Sequence, residues 1–224
     1  MSARTAAPAA VPAGTGTDAA KASREAILQA AAELFMAYGY AATSIDAVAE
    51  QLGATKGRIY HHYRSKADLY FDVQVAAMTR ITEAVEPIAR SPASAAQRLA
   101  AMALRHAQIL LTELPMQKVA VQGLERQLLG STSGTSPAAK RLRAVVKMRD
   151  DYEALFAEVI DAGIRDGVFI DLPVRLATKP FLGVLNWATV WYSQRRLQSA
   201  GEIDEIAQVL AAYAMRGILK PAPG

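Results

Sequence analysis

From about Asp18 onward, apolar residues return at three- and four-residue steps. Ile27, Leu28, Ala31, Leu34 and Phe35 form the first stripe, which Tyr38-Gly39-Tyr40 brings to a stop. That spacing turns one helix face toward a core. The next stripes are Ile45, Val48, Ala49 and Leu52, then Ile59 in a short segment over 56–63, then Leu69, Val73, Ala76 and Ile81, stopping near Pro87. Helical patterns also cover about 94–112, 115–129, 137–166, 173–198 and 202–219. Pro115, Pro137 and Pro173 suit first-turn positions, where a missing N–H is no loss. Strand-like alternation between turn residues does not occur. The chain is expected to be all-α with about nine helices, the eighth interrupted at Pro180.

Hydroxyl residues mark the helix starts. Thr43 precedes Asp46, and Ser65 precedes Asp68, at the three-residue spacing of a capping box. Gly53 stands where a left-handed residue ends the second helix, and Thr55 can cap the third. Residues 1–17 are Ala, Pro, Thr and Gly with almost no large apolar side chain, and are expected to form a disordered tail. Gly130 to Ser136 is the clearest loop.

The 224 residues are 52% hydrophobic and 21% charged, enough to bury a sizeable core. No apolar run reaches the roughly 18 residues of a spanning helix, so no membrane association is expected. The absence of cysteine excludes disulfides and thiol chemistry and fits a reducing compartment. Pro8 and Pro12 break up any secretory apolar segment, so a cytoplasmic location is expected. Charge is informative once localised. Gln51 to Ala67 carries Lys56, Arg58, Arg64 and Lys66 and no acid, while the remaining 21 basic residues balance 21 acidic ones. The whole excess of +4 lies in that stretch, which points to a local anionic partner.

The same stretch holds two short helices joined at Gly53, with small Ala49 at the point of close approach and Val48, Leu52 and Ile59 inward. This is the pattern of a helix-turn-helix, over about 43–62, whose second helix can enter a DNA groove. Gly57 lowers helix propensity by about 1 kcal/mol relative to alanine, reasonable where a helix start must approach a sugar-phosphate backbone. The string Thr55-Lys56-Gly57-Arg58-Ile59-Tyr60-His61-His62-Tyr63-Arg64-Ser65-Lys66-Ala67-Asp68-Leu69 resembles the amino-terminal domain of the TetR family of bacterial transcriptional regulators. Members commonly show a small residue, then Lys-Gly-x-Leu/Ile-Tyr-x-His-Phe-x-Ser-Lys-x-x-Leu; here Tyr63 replaces the Phe. The resemblance implies that Thr43 or Ser44, Lys56, Gly57, Tyr60, His62 and Lys66 position the domain on phosphates. Arg58, His61 and Thr55 are then the base readers.

It also implies a DNA-binding domain over 18–66, a ligand-binding and dimerisation domain over 67–224, and three partners: double-stranded operator DNA, a second copy of the chain and a small-molecule effector. His61 and His62 point about 100° apart on a helix and cannot share one ion, so no metal is expected. Neither a phosphate loop nor a nucleophile elbow is present; neither enzymatic activity nor a cofactor is expected. The rivals are a helical scaffold or adaptor that does not bind DNA, and a helical-bundle enzyme.

In the remaining two thirds, Ile206 to Met215 carries no charge and many alanines. With the preceding helix it is expected to form half of an intermolecular four-helix bundle through Phe181, Val184, Ala188, Ile206, Leu210 and Ala214. His106 and Arg149 break apolar stripes, so a pocket is expected from Met102, His106, Arg149, Tyr152, Phe156 and Trp187, with Arg149 paired to Glu153 in the plainer account. Leu185 to Tyr192 resembles a pattern in TetR members that respond to acyl-CoA thioesters, although Ser193-Gln194-Arg195-Arg196 replaces their usual continuation. The effector is expected to be apolar or acyl-CoA-like, with a multidrug-efflux repressor as the nearest rival. The Trp187 and Trp191 pair reads as core.

Overall fold

The computed structural model describes residues 15–128, 135–195 and 197–221, and among them ten helical segments. In order these are α1 (Thr15–Ala42), α2 (Ile45–Gln51), α3 (Lys56–His62), α4 (Lys66–Ala89), α5 (Ala95–Thr112), α6 (Leu114–Leu128), α7 (Pro137–Arg165), α8 (Val174–Asn186), α9 (Ala188–Trp191) and α10 (Ala200–Arg216). The all-α expectation holds. The tail expected over 1–17 falls mostly outside the described residues; α1 already begins at Thr15. The expected loop over 130–136 also lies largely outside them.

The helix ends follow from their chemistry. Gly53 takes φ +59°; its N–H bonds to Glu50 O and that of Ala54 to Ala49 O, a pair that closes α2 and turns the chain into α3. Ser65 caps α4 by accepting from Asp68 N as expected, but the Asp68 carboxylate goes to Arg141 instead of back to the cap, so the expected box is only half formed. At α2 the cap is Ser44, which accepts from Ala47 N at 3.0 Å, and the expected Thr43–Asp46 box is not formed. Thr43 is buried because Gly39, at φ 77°, kinks the end of α1; its hydroxyl donates to Gly39 O at 2.8 Å. Thr55 precedes α3 without a side-chain cap.

Beside a smaller cluster of Phe71, Leu142 and Val145 where α4 meets α7, there are two large cores among the described residues. One gathers Ile27, Leu28, Phe35, Val48, Ile59, Leu69 and Val73 with Met116, Val119 and Ala120 of α6. The other joins α4, α5, α7, α8 and α10 around Leu99, Met102, Phe156 and Phe181. Small Ala207, Ala211 and Ala214 let α10 lie close on α5. After α7, Phe169 tucks fully into this core and an isolated bridge, Ile170 N to Ile218 O and Lys220 N to Val168 O, ties the α7–α8 connection to the end of α10.

The expected single helix over 173–198 is instead α8 and α9, and the break does not lie at Pro180, which sits inside an unbroken α8. Thr189 donates its hydroxyl to Asn186 O at 2.8 Å, and Val190 N bonds to Trp187 O. This side-chain competition tightens the backbone at Trp187, and the helix ends at Tyr192.

A methyl added at Gly163 would lie 2.1 Å from the ring of Phe169. Gly163→Ala is therefore expected to destabilise the fold by about 1–3 kcal/mol, measured by denaturant unfolding.

Candidate nucleic-acid interface and effector cavity

At seven residues α3 is too short to persist alone and owes its placement to Ile59, which is fully buried. With Ile59 inward, Thr55, Lys56, Gly57, Arg58, Tyr60 and His61 are all exposed, and His62 is half-buried. The expected interface residues of α3 thus share one open face. Burial, His61 and the guanidinium groups of Arg24 and Arg58 lower the pKa of His62, which favours its neutral form. Lys56 Nζ reaches Asp46 at 2.5 Å, a bond that raises its pKa, and Arg58 Nη2 donates to Ser23 Oγ at 3.1 Å. Both contacts are exposed and can be exchanged at small cost.

Two expected interface residues are placed differently. Thr43 is buried, so of the Thr43/Ser44 pair only Ser44 is at the surface. Lys66 donates to Tyr40 O at 2.8 Å and Ala41 O at 3.2 Å and lies over the Tyr40 ring. It satisfies carbonyls that the end of α1 leaves open, a tertiary task that spacing does not reveal. Arg64 stays exposed.

Ion pairs hold this unit to the rest of the chain. Arg24 meets Asp72 at 2.6 Å, Arg141 meets Asp68, and Arg80 of α4 joins Glu25 of α1 to Glu113 at the start of α6.

The principal cavity, about 470 Å³, lies between α4, α5, α6, α7, α8 and α9. Of the six expected lining residues, His106, Arg149, Tyr152 and Trp187 border it. Met102 and Phe156 do not; both are fully buried in the core behind it. Gln117, Glu153, Lys179 and Asn186 also line it. These escaped the sequence reading because a polar residue on a helix is ordinarily a solvated one. Glu153 does not pair with Arg149: it takes Lys179 at 2.7 Å, and Arg149 has no ion pair among the described residues. Arg149 is exposed at the rim rather than on a core-facing stripe.

His106 is enclosed, 2.8 Å from the Tyr152 hydroxyl through Nδ1 and 3.1 Å from Asn186 Oδ1 through Nε2. Burial lowers its pKa to about 4, so the ring is neutral, and burial pushes the Tyr152 phenol well above its ordinary value. A neutral ring satisfies both contacts when Tyr152 donates to Nδ1 and Nε2–H donates to Asn186.

The six residues expected at a dimer interface divide between the interior and its edge, Val184, Ile206 and Leu210 being only half-buried. Phe181, Ala188 and Ala214 are buried in their own core, and Val184, Ile206 and Leu210 pack against it. Trp187 and Trp191, expected in the core, are 63% and 51% exposed. The outward apolar positions are Leu176, Trp187, Val190 and Trp191 on α8 and α9, with Val209 and Tyr213 on α10. A helix that is apolar around its circumference does not tell from sequence which side turns in. Among the described residues no group of three or more His, Asp or Glu could hold a metal ion, and no helix is long and apolar enough to cross a membrane.

Comparisons with known proteins agree with this architecture. The family model of bacterial regulatory proteins of the tetR family matches residues 27–73, and that of the tetracyclin repressor-like C-terminal domain matches residues 92–218. The HTH-type transcriptional repressor KstR2 of Rhodococcus jostii is 24% identical over 200 residues, covering 88% of this chain and 92% of its own. The crystal structure of PfmR, a TetR family regulator of Thermus thermophilus, superposes with a TM-score of 0.70 at 26% identity, covering 85% of this chain and 97% of the other. That of AibR, in complex with isovaleryl coenzyme A and operator DNA, superposes with a TM-score of 0.66 at 20% identity, covering 83% and 96%.

The low pKa of His106 has a consequence for stability. Between pH 6.5 and about 4 the unfolded chain takes up a proton at this position that the folded chain refuses. Stability is therefore full above pH 6.5 and falls as pH drops through that window, by about 3 kcal/mol at its lower end. In His106→Gln this part of the pH dependence should vanish, as measured by denaturant unfolding at a series of pH values.

Proposed function

The chain belongs to the tetR family of bacterial regulatory proteins, a DNA-binding transcriptional regulator, and on that premise we propose that it is a homodimeric repressor released from its operator by an anionic, acyl-CoA-like effector. The observation that carries the reading is the exposed face of α3, cationic and aromatic, over a fully buried Ile59. Such a face suits a major groove and its flanking phosphates. Ser44, Lys56, Gly57, Tyr60 and His62 are assigned to phosphates, and Thr55, Arg58 and His61 to bases. Lys66 acts indirectly, by fixing the end of α1. DNA binding is assigned to 18–66, and effector binding and dimerisation to 67–224.

A second copy is the partner assigned to the outward stripe of α8, α9 and α10. Contiguous exposed apolar surface of this kind marks an interface, and a two-fold dimer presents two recognition helices to half-sites one turn, about 34–36 Å, or a multiple apart. The effector is assigned to the principal cavity, where Arg149, exposed at the rim beside the Lys179–Glu153 ion pair, leaves one positive charge in excess and favours an anionic group. That charge argues against a lipophilic cation, as a multidrug-type regulator would bind. The AibR structure, a fold relative, contains an acyl-CoA and operator DNA. An effector shifts helix spacing only as far as it prefers one state over the other. The DNA-binding reading is tested by electrophoretic shift with the adjacent intergenic DNA; a folded dimer that fails to bind at low salt overturns it.

Nothing obstructs a methyl group at Gly57, so Gly57→Ala should stabilise the free protein by up to about 1 kcal/mol while weakening operator binding. Arg58→Ala should cost about 1–3 kcal/mol at selected bases, and Lys66→Met should weaken all sequences alike without flattening the salt dependence. Fluorescence anisotropy titrations at several salt concentrations check these outcomes. For the dimer, Val209→Asp with Tyr213→Glu should yield a folded monomer by sedimentation.

A further inference from the structure

The inner wall of the cavity is not a hydrocarbon slot. His106, Tyr152, Gln117 and Asn186 converge on it from α5, α7, α6 and α8, beside apolar Ile81 and Leu182. His106, Tyr152 and Gln117 are buried, whereas Arg149 and Lys179 at the rim are exposed, so the cavity has a polar interior as well as a charged entrance. A saturated chain pushed to the inner end would meet groups that need hydrogen bonds and leave them unmatched.

The hydrogen bonds among these groups leave specific capacity over. His106 uses both ring nitrogens, accepting from Tyr152 at 2.8 Å and donating to Asn186 Oδ1 at 3.1 Å. With its oxygen held by the imidazole, the Asn186 carboxamide turns Nδ2 away from the ring, and that amide has no partner among the described residues. Gln117 donates through Nε2 to Ala77 O at 3.3 Å, which leaves its Oε1 as an acceptor. Asn186 also stands one residue before the tightening at Trp187, and its own carbonyl is held by Thr189. Its side chain is therefore anchored from two directions beside a cavity it does not saturate.

We infer that the effector's inner end carries a hydrogen-bond-accepting oxygen, as a keto or hydroxyl group, which takes an N–H of Asn186, while His106 and Tyr152 act as positioning residues that hold the carboxamide in register. This rests on the assignment of the cavity to the effector and specifies the end opposite the charged one.

The test measures binding to the full-length protein in two arms. The first compares cyclohexanone with methylenecyclohexane, a pair matched in shape, by ligand-observed NMR. The second compares 7-oxooctanoyl-CoA with octanoyl-CoA by calorimetry. The oxygenated member of each pair is expected to bind at least about fivefold tighter to the unmodified protein. In Asn186→Leu the ratio should fall to within about twofold, and in Tyr152→Phe it should shrink without a loss of helical content. If Asn186→Leu does not fold, Asn186→Asp decides the matter: it keeps an acceptor for His106, loses the N–H donors, and must lose the preference for the ketone. A ratio near one in the unmodified protein, or a preference that survives in Asn186→Leu or Asn186→Asp, overturns the inference. Should cyclohexanone be preferred while neither thioester binds, the acyl-CoA assignment falls and the oxygen-reading role of Asn186 stands. Thioesters that bind equally well, with no preference between the small probes, remove the oxygen-reading role and leave the acyl-CoA assignment in place.

Discussion

A seven-residue helix has no independent stability, so everything that α3 does depends on the burial of Ile59. The core that receives it is not confined to the helix-turn-helix. Met116, Val119 and Ala120 of α6 belong to the same cluster, so the recognition helix stands on a foundation that the C-terminal part of the chain helps to build. Arg80 reinforces the link, since its guanidinium bridges Glu25 of α1 and Glu113 beside α6. A displacement of α6 cannot leave α1 undisturbed, because packed side chains give little before they must rearrange.

The cavity lies on the other side of that helix. Gln117, Ala120 and Val121 of α6 line it, and Gln122 borders both this cavity and a smaller cleft beside Phe35, Gly39, Tyr40 and Tyr70. The smaller cleft adjoins the point where α1 kinks, where Lys66 and Thr43 satisfy the open carbonyls and the rings of Phe35, Tyr40 and Tyr70 pack within 6 Å of one another, Tyr70 edge-on to the other two. An occupant of the main cavity thus has a short mechanical route to the approach angle of α2 and α3. The route is made of contacts, and the size of any response is limited by the occupant's preference between two arrangements.

The sequence was most legible where chemistry is local. The turn at Gly53, the cap at Ser65, the inward Ile59 and the outward face of α3 depend on neighbours within a few residues, and the structure places each as expected. The features that escaped were set by distant partners. Lys66 looks like a phosphate ligand until the carbonyls of residues 26 and 25 positions earlier are seen to claim it. Arg149 looks paired to Glu153 one turn away until Lys179 of another helix takes that carboxylate. The outward side of α10 was illegible for a different reason: with no charge from Ile206 to Met215, no polar residue marks the surface, and only the packing of Ala207, Ala211 and Ala214 on α5 decides it. Asn186 and Gln117 were overlooked because their significance lies in the cavity they share.

The segment at Trp187 connects these threads. Gly183, Trp187 and Val190 border the cavity and belong to the exposed apolar side of α8 and α9. Were that segment a straight helix through Gln198, a single register would govern both faces. The Thr189 hydroxyl instead removes one carbonyl from the ladder and rotates the residues beyond it, so that Trp187 and Val190 stand at the cavity mouth while Ala188 remains in the core. A second copy seated on this stripe would close the mouth from outside. Under the dimer assignment, occupancy and subunit contact then act on the same few residues. The thermodynamic consequence is reciprocal: whatever an occupant does to the affinity between subunits, association must do in equal measure to the affinity for the occupant.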